Sequence, residues 1–364
     1  LNFTEEIQNS LAGSYYNFDG VNDYIAIGDV ADLTITSDIT VMARFKVINF
    51  DIDYQTIICK GDDSWRLQRN AATNYIAWAF GGTSGINDLV GTIDVNDNEW
   101  HTAIGTYDGT TRSLYIDGVL DVSMADTGSI DASSYSAYIG NNAQQPTRFW
   151  DGDISEAKVF NRSLTASEVL DLSQGSPTDF ADVGANETLL NTTTAVNGTG
   201  GGNRGFDGSF TGASATGFVG TDTTNQGYGY FAASIAKGKT YKVSVTTAVT
   251  NGGNYVIISS TGLNFATDQV DLLTYSNVTG TYTFTATADA SYIGLAATWS
   301  SGTMTFTASN VSIVQAGVVA SYDVGKTPTI WYDNSGNDLD GTVTGAVLIQ
   351  PENTGMNNLF ATNG

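Results

Sequence analysis

Carboxylates are the side chains of this sequence with the widest scope for chemistry. The chain has 38 Asp and Glu residues against 14 Lys and Arg residues, which gives a formal net charge of −24. Two carboxylates about 5 to 9.5 Å apart can hydrolyse a glycosidic bond when one of them is held as an acid. Asp151 and Asp153 would share one face of a strand. Turn closure or metal binding explains this pair better than catalysis.

Other catalytic groups are scarce. His101 is the only histidine and follows Trp100 in a strand-like run, which favours a structural role over a place in a triad. Cys59 is the only cysteine, so an intrachain disulfide is excluded, and its apolar neighbours indicate a buried thiol. The Gly-rich stretch at residues 198–205 lacks the Lys-Ser/Thr ending and the helix of a phosphate-binding loop. We therefore predict a protein that is not an enzyme.

Aromatic side chains beside polar loops are the candidates for sugar binding, because flat rings stack on pyranose faces while amides and carboxylates bind the hydroxyls. Trp78 and Trp100 lie in alternating strands and are predicted core residues. For Tyr228 and Tyr230, inward and groove-lining positions remain equally open. The tentative carbohydrate-binding residues are Phe149, Trp150, Trp65, Tyr228, Tyr230 and Trp299.

The elements that would position these residues are short strands. Asp-Gly turns at residues 108–109 and 117–118 flank the alternating run at 112–116, which is a strong hairpin signal. Similar runs recur along the chain, whereas only residues 166–172, with Thr165 as N-cap, indicate a helix. With 41 Gly and only 4 Pro, the composition also favours turns and strands.

This pattern predicts an all-β protein with two tandem antiparallel β-sandwiches, or jelly rolls, and a short C-terminal β segment. Turn formers cluster at residues 173–177 and indicate a domain boundary there. The predicted segments are an N-terminal edge strand or upstream linker at residues 1–12, a first sandwich at 13–175, a second sandwich at 176–316 and a C-terminal hairpin segment at 317–364.

Five phrases in order carry a resemblance to a known family: FDGVNDYI at residue 18, WHTAIGTYDG at 100, LYIDG at 114, YIGNN at 138 and FWDGDISEAKVFNRSL at 149. Residues 13–172 resemble the laminin G-like and concanavalin A-like lectin/glucanase domains, in the variant common in bacterial surface and phage proteins. The resemblance implies a jelly roll with a binding role. The glucanase relatives use an E-x-D-x-x-E run, and the seven Glu residues of this chain show no such spacing.

Two further segments carry weaker resemblances. The phrases GKTYKVSV, GTYTFTATADASYIGL and ASNVSI make residues 178–315 similar to the β-sandwiches of carbohydrate-binding modules. Residues 319–345 resemble the hairpin that commonly opens laminin G-like modules, and also the short segments that end many phage tail and fibre proteins. The first module therefore either lacks its opening hairpin or takes a divergent edge strand from residues 1–14. We favour the phage-like interpretation of the tail over a truncated second lectin domain.

Calcium is the only metal that the residue types suggest, because Ca²⁺ binds six to eight oxygens from carboxylates, amides and carbonyls. The resemblance implies that the FDGVND loop and the FWDGD phrase lie close together. The tentative ligands are Asp19, Asp23, Asp151 and Asp153. A second group combines the loop at residues 94–98 with Asp62 and Asp63.

The leading hypothesis is a non-catalytic adhesion protein of a phage tail fibre, tip or capsid fibre that recognises a host-surface polysaccharide or other glycan. We expect other virion proteins as partners and a homo-oligomer, with a trimer favoured, since weak sites gain from multivalency. A decoration protein of a capsid or tail without sugar binding, and a secreted bacterial surface adhesin, are the alternatives. The predicted location is the virion, or else the cell exterior.

Charge and hydropathy exclude two classes of partner. The net charge of −24 opposes binding to a phosphate backbone, so we predict no nucleic-acid partner. Apolar runs of about 18 residues do not occur, which excludes membrane insertion by a helix. The sequence begins at Leu1 and shows no secretory h-region, so we expect a processed or excised piece of a longer protein.

Overall fold

The computed structural model describes residues 13–82, 87–174, 195–197, 209–223, 228–237, 239–263, 268–275, 279–299, 302–323 and 325–350. The chain forms two compact units. Unit 1 consists of Leu1–Ala185 together with Gly317–Gly364, and unit 2 is Asn186–Ala316. Unit 2 is therefore inserted, along the sequence, between two parts of unit 1. The predicted all-β class is confirmed.

The first part of unit 1 contains twelve strands: β1 (Tyr15–Asp19), β2 (Tyr24–Gly28), β3 (Ile39–Val47), β4 (Thr56–Cys59), β5 (Arg66–Arg69), β6 (Ile76–Phe80), β7 (Asn87–Val90), β8 (Trp100–Tyr107), β9 (Thr111–Ile116), β10 (Val119–Ala125), β11 (Ala137–Ile139) and β12 (Asp151–Phe160). A short 3-10 helix spans Ala31–Leu33, and α1 spans Ala166–Ser173. The predicted cap of α1 is present, because Thr165 and Glu168 form a reciprocal capping box.

Unit 2 contains β13 (Val196–Asn197), β14 (Ser209–Ser214), β15 (Gly217–Asp222), β16 (Gly229–Ile235), β17 (Thr240–Thr250), β18 (Gly252–Ser260), β19 (Gln269–Tyr275), β20 (Thr279–Thr285), β21 (Ala290–Trp299) and β22 (Met304–Ala316). These strands form two five-stranded antiparallel sheets, in the orders β13-β16-β21-β18-β19 and β14-β15-β22-β17-β20. One apolar cluster, which includes Phe231, Val243 and Phe306, joins residues of both sheets. Unit 2 is thus a β-sandwich.

The C-terminal strands complete unit 1. They are β23 (Val318–Tyr322), β24 (Ile330–Trp331), β25 (Gly341–Thr344) and β26 (Val347–Ile349). β23 pairs with β12, β25 pairs with β2, and β26 pairs with β1. The tail therefore belongs to the first sandwich and is not a segment that stands apart, although a unit boundary does fall between Ala316 and Gly317, where it was predicted. The predicted segment at residues 1–12 lies outside the described residues.

Two sheets form the sandwich of unit 1. Sheet A has the order β10-β9-β8-β3-β12-β1-β26, with β23 also paired to β12, and sheet B has the order β24-β25-β2-β11-β4-β5-β6-β7. The side chains that alternate inward, such as Phe45, Leu67 and Trp78, form one continuous core. A smaller cluster joins α1 to part of the outer face of sheet A through Met42, Ile104 and Val169.

Of the helices in the described part of the chain, none has the length and apolarity that a membrane crossing requires.

Candidate functional site

Most of the predicted sugar-stacking rings of unit 1 lie in its core. Trp65 and Trp150 are 0% exposed. The Trp65 indole N–H donates to the Leu33 carbonyl at 3.0 Å, and Trp150 packs edge-on against Phe45. Phe149 is half-buried. The prediction of a stacking platform is therefore wrong for Trp65 and Trp150, because both indoles, which directly precede β5 and β12, are packed into the core.

The predicted groove residues of unit 2 whose side chains are described are also buried. Tyr228 and Tyr230 are 0% exposed, with ring centroids 6.0 Å apart, and they pack with Ile258 and Ala296. Both rings are buried, but not in the core between the two sheets: Phe231 and Ile257 alternate into that core, so Tyr230 and Ile258 lie in a separate apolar cluster on the opposite face of the sheet. The side chain of Trp299 lies outside the described residues, although its backbone ends β21.

The four predicted calcium ligands are divided among different partners. Asp23 is 4% exposed and accepts a hydrogen bond from the Asp19 backbone N–H at 3.0 Å. Asp153 forms an ion pair with Lys46 at 3.1 Å and accepts a hydrogen bond from Asn17 at 2.8 Å. These two carboxylates therefore already have partners within the protein.

Asp151 has acidic surroundings. Burial, followed by the charges of Asp51 and Asp19, raises its pKa. Within the described residues, no group of three or more His, Cys, Asp or Glu side chains is arranged to hold a metal ion. Calcium binding by the four predicted ligands remains a prediction.

The second acidic group serves turns and ion pairs. Asp94 accepts hydrogen bonds from the Asn96 backbone and from the Asn74 amide, both at 2.9 Å. Asp97 accepts from the backbone N–H of Glu99 at 2.9 Å. These hydrogen bonds fix the loop at residues 94–98, so a structural role accounts for both carboxylates.

The richest set of polar side chains lies where the β4–β5 turn meets the β11–β12 loop. We call it the Asp62 cluster and define it as Asp62, Asp63, Arg66, Asp88, Asn142, Gln144 and Arg148. Asp62 is its centre: one carboxylate oxygen accepts from Asn142 at 2.7 Å and from Arg148 at 2.6 Å. The two loops, 80 residues apart in sequence, are thereby joined.

Gln144 closes the same junction from the other side. Its amide oxygen accepts from the backbone N–H of Asp62 at 2.7 Å, and its amide nitrogen donates to Asp63 at 2.8 Å. Asn142 is 0% exposed and its side-chain oxygen accepts from the Gln144 backbone at 2.9 Å, which fixes the shape of the loop. Buried Asn142 thus supports the more exposed Asp63 and Gln144.

β5 supplies the floor of the cluster. Leu67 points into the core, so Arg66 and Gln68 point to the outer side of sheet B. Arg66 donates to Asp88 on β7 at 3.0 Å and to the carbonyl of Asp62. Gln68 Oε1 and Arg66 Nε have no hydrogen-bond partner within the described residues. Hydrogen-bonding capacity therefore remains on this strand.

An aromatic ring borders the cluster. The Arg148 guanidinium carbon lies 4.8 Å from the centroid of Tyr54, which is partly exposed. Stacking on the ring and the ion pair with Asp62 hold Arg148 in one orientation. The sequence predicted site residues beside both loops, Trp65 and Trp150. It missed Arg66, Arg148 and Tyr54, because only the pairing of β4 with β5 and β11 brings them together.

His101 has a structural environment, as predicted. Its two ring nitrogens lie 2.8 Å from Asp117 and 3.1 Å from Asp97. The hydrogen bond with Asp117 raises the pKa of His101 above its usual value of 6.5, and the bond with Asp97 adds to this against the effect of burial. Hydroxyl and thiol nucleophiles are not among the partners of the ring, so the geometry favours an ion-pair bridge.

Chemically, the Asp62 cluster can recognise a polar ligand through ionised acids, amides and guanidinium groups. The carboxylates of Asp62 and Asp88 are both ion-paired with arginines. The cluster therefore offers carboxylates held by arginines beside amides and guanidinium groups, an arrangement that suits hydrogen bonding to a polar ligand.

Comparison with known proteins begins with the family model described as the concanavalin A-like lectin/glucanases superfamily, Laminin_G_3, which matches residues 19–170. A comparison with curated proteins finds no match.

Three solved structures illustrate the similarity of shape. A SAP-like pentraxin from Limulus polyphemus is 15% identical, with 45% of this chain and 82% of that chain covered and a TM-score of 0.37. The Ruminococcus gnavus IT-sialidase CBM40 bound to alpha2,3 sialyllactose is 12% identical, with 44% and 98% covered and a TM-score of 0.38. A putative carbohydrate binding protein from Bacteroides ovatus is 19% identical, with 76% and 61% covered and a TM-score of 0.40.

The five sequence phrases, the two-sheet sandwich and the family match agree on the same part of the chain. Residues 19–170 are a laminin G-like domain of the concanavalin A-like lectin/glucanases superfamily.

Proposed function

We propose that unit 1 binds a glycan without chemical conversion, and that the Asp62 cluster is the binding site. The observation that carries the proposal is the convergence of Asp62, Gln144 and Arg148 from two loops, at the border of the partly exposed ring of Tyr54. Sugar hydroxyls both donate and accept hydrogen bonds, so a mixed set of carboxylates, amides and guanidinium groups complements them.

The exposure of the cluster supports this use. The side chains of Asp62, Arg148 and Asp88 are 16%, 18% and 22% exposed, while Arg66 beneath them is 3% exposed. Buried partners hold the exposed groups in place, which lowers the entropy that a ligand must overcome. A preorganised polar surface of this kind is typical of sites that recognise hydroxyl groups.

A non-catalytic role is supported by the same ion pairs. Hydrolysis of a glycoside needs one carboxyl group kept protonated near neutral pH. Asp62 and Asp88 are instead held in ion pairs with Arg148 and Arg66. We therefore expect no release of reducing sugar from polysaccharides that the protein binds.

A glycan array probed with the purified protein tests the proposal. We expect a selective set of signals that Gln144→Ala weakens, because this change removes contacts to both Asp62 and Asp63. Gln145→Ala is the matched control, since it lies in the same loop and its exposed side chain is outside the cluster. Equal signals from both variants would place the site elsewhere, and a blank array would reject glycan binding.

A place on a phage particle is a separate proposal with less support. Its main basis in the sequence is the C-terminal segment, which resembles the ends of phage tail and fibre proteins. In the structure this segment pairs with β1, β2 and β12 of unit 1. Labelling of phage particles by an antibody against the protein would support a tail or capsid fibre. Labelling of bacterial cells alone would favour the surface adhesin, and labelled particles without glycan binding would favour decoration.

The proposed oligomer has its own test. Weak sugar sites gain affinity when several act together, so a trimer remains our proposal for the assembled protein. Mass photometry of the full chain should give a mass near three times 38.4 kDa. Monomers alone would contradict the trimer without affecting the proposed site.

A further inference from the structure

We propose a second binding site on unit 1, on the outer face of sheet A, for a saccharide that carries carboxylate groups. It consists of Tyr15, Arg44, Lys46 and Trp100, which we call the Trp100 patch. The patch lies on a different sheet from the Asp62 cluster, so the inference goes beyond the proposed function and can succeed or fail independently of it.

Trp100 begins β8 and has the outward orientation. His101, Ala103 and Gly105 alternate with it, and Ala103 lies in the core. Trp100 is only partly buried, which corrects its predicted core position. The error has a physical reason, since alternation along a strand shows which residues share a face but not which face is covered.

Tyr15 reaches Trp100 across two intervening strands. β1 and β8 are separated by β3 and β12, three strand spacings of about 4.8 Å each. The two ring centroids are nevertheless 5.4 Å apart, with the planes inclined at 71°. Both rings therefore lie over the sheet surface, and each is partly exposed.

Two cations approach the same indole. The Arg44 guanidinium carbon lies 5.2 Å from the ring centroid of Trp100, and the Lys46 ammonium lies 5.8 Å from it. Arg44 and Lys46 are two residues apart on β3 and share its outer face. A cation–π contact stabilises each cation. The indole thus holds the Arg44 guanidinium beside the Lys46 ammonium at the sheet surface.

The neighbouring acids leave Arg44 uncompensated. Asp153 pairs with Lys46 at 3.1 Å, and Glu156 pairs with Lys158 at 2.5 Å. Arg44 is exposed, and among the described residues no carboxylate lies within ion-pair distance of it. In a chain with 38 acidic and 14 basic residues, a guanidinium without an acid partner is available to an external anion.

The charge of the whole chain narrows the class of anion. A net charge of −24 repels densely charged polymers such as nucleic acids, whereas a sugar carboxylate carries little charge and would meet Arg44 beside the Lys46–Asp153 ion pair. Guanidinium groups bind carboxylates through two parallel hydrogen bonds. The adjacent rings of Tyr15 and Trp100 can contact the apolar face of the sugar ring. A uronate-type saccharide combines both features.

Calorimetric titration with trigalacturonate, and with its fully methyl-esterified form, tests the proposal. We expect wild-type protein to bind trigalacturonate with an affinity that falls as salt rises. Arg44→Gln should weaken that binding by about ten-fold or more, because one charge-assisted pair is lost. The neutral ester should bind wild type and Arg44→Gln equally, and Arg44→Lys should retain part of the affinity.

Gln144→Ala separates this site from the proposed glycan site, since it should leave trigalacturonate binding unchanged. Arg44 is exposed on a strand whose neighbours remain, so the melting temperature of Arg44→Gln should match that of wild type and exclude misfolding. Equal affinity of wild type and Arg44→Gln for trigalacturonate, or no binding by wild type, would overturn the inference. Equal affinity for triglutamate would also overturn it, because the site would then recognise carboxylates irrespective of a sugar.

Discussion

Single aromatic residues are where sequence and structure differ most. Sequence patterns identified which residues belong to strands, but the covered face of each strand depends on long-range packing. Trp150 was predicted as a sugar platform and lies in the core, whereas Trp100 was predicted in the core and lies outside. Both residues flank polar loops or turns, so local composition could not distinguish them.

The buried position of Trp150 predicts a large stability effect. Trp150→Ala should lower the free energy of unfolding of unit 1 by about 3–5 kcal/mol, because a fully buried indole is replaced by a cavity. Chemical denaturation followed by near-ultraviolet circular dichroism measures the change. Phe149→Ala, at a half-buried ring, serves as the control and should cost less. Unchanged stability of Trp150→Ala would contradict the inward position.

His101 predicts a pH-dependent contribution to stability. Its pKa is raised above 6.5, chiefly by the hydrogen bond with Asp117, so the stabilisation is fully present below about pH 6.5 and is lost as pH rises through the raised pKa. The pKa values of Asp97 and Asp117 are both lowered from 3.8. For Asp97 the largest cause is the hydrogen bond from the Glu99 backbone. For Asp117, burial raises the pKa, but the hydrogen bonds with His101 and Thr102 together lower it by more. Their contribution is lost as pH falls below about 4.

The ion-pair bridge should therefore stabilise unit 1 most between about pH 4 and 6.5. His101→Gln should be most destabilising, relative to wild type, near the upper part of that window and least destabilising near pH 9. Unfolding free energies at several pH values measure this. Because His101 is the only histidine, its NMR titration gives the pKa directly, and a midpoint below 6.5 would refute the bridge.

At the scale of elements, local signals were reliable. The predicted Asp-Gly turns connect β8 to β9 and β9 to β10, and Gly109 and Gly118 have φ values of 85° and 78°. Glycine adopts this left-handed conformation without strain, which is why the dipeptide predicts the turn. The capping box of α1 is equally local. Each of these features depends on residues within a few positions of one another.

Pairings across the chain were not predictable in the same way. β26 pairs with β1 although more than 300 residues separate them, and the hydroxyl of Tyr16 donates to the Thr327 carbonyl at 2.6 Å. The tail resembled an opening hairpin, yet sequence offered no signal that it completes the same module. Two side chains of the tail, Tyr322 and Trp331, are 0% exposed in the core of unit 1.

The tail predicts a sharp effect of truncation. A chain that ends at Ala316 should lose cooperative unfolding of unit 1, because β1, β2 and β12 lose their tail partners and the core loses Tyr322 and Trp331. Hydrogen exchange resolves the two units separately. A chain that ends at residue 350 keeps every described strand and is the control. Native protection of residues 13–174 in the shorter chain would contradict the assignment.

For the whole molecule, composition and motif order predicted an all-β, lectin-like binding protein, and the family match covers residues 19–170. They did not predict that unit 2 is inserted into unit 1, since the boundary near residue 175 gave no sign that the first module resumes after residue 316. The polar residues of the two loops that form the proposed binding site drew attention to them in the sequence. The arginines were not foreseen, because they come from positions 66 and 148, which only the sheet brings together.

The most direct test of the central claim is calorimetric titration of a glycan selected on the array, with wild type, Gln144→Ala and Gln145→Ala measured side by side. We expect Gln144→Ala to weaken binding by roughly ten-fold, about the loss of one or two hydrogen bonds, while Gln145→Ala keeps wild-type affinity. Wild-type affinity in Gln144→Ala, with the fold intact, would contradict glycan recognition by the Asp62 cluster.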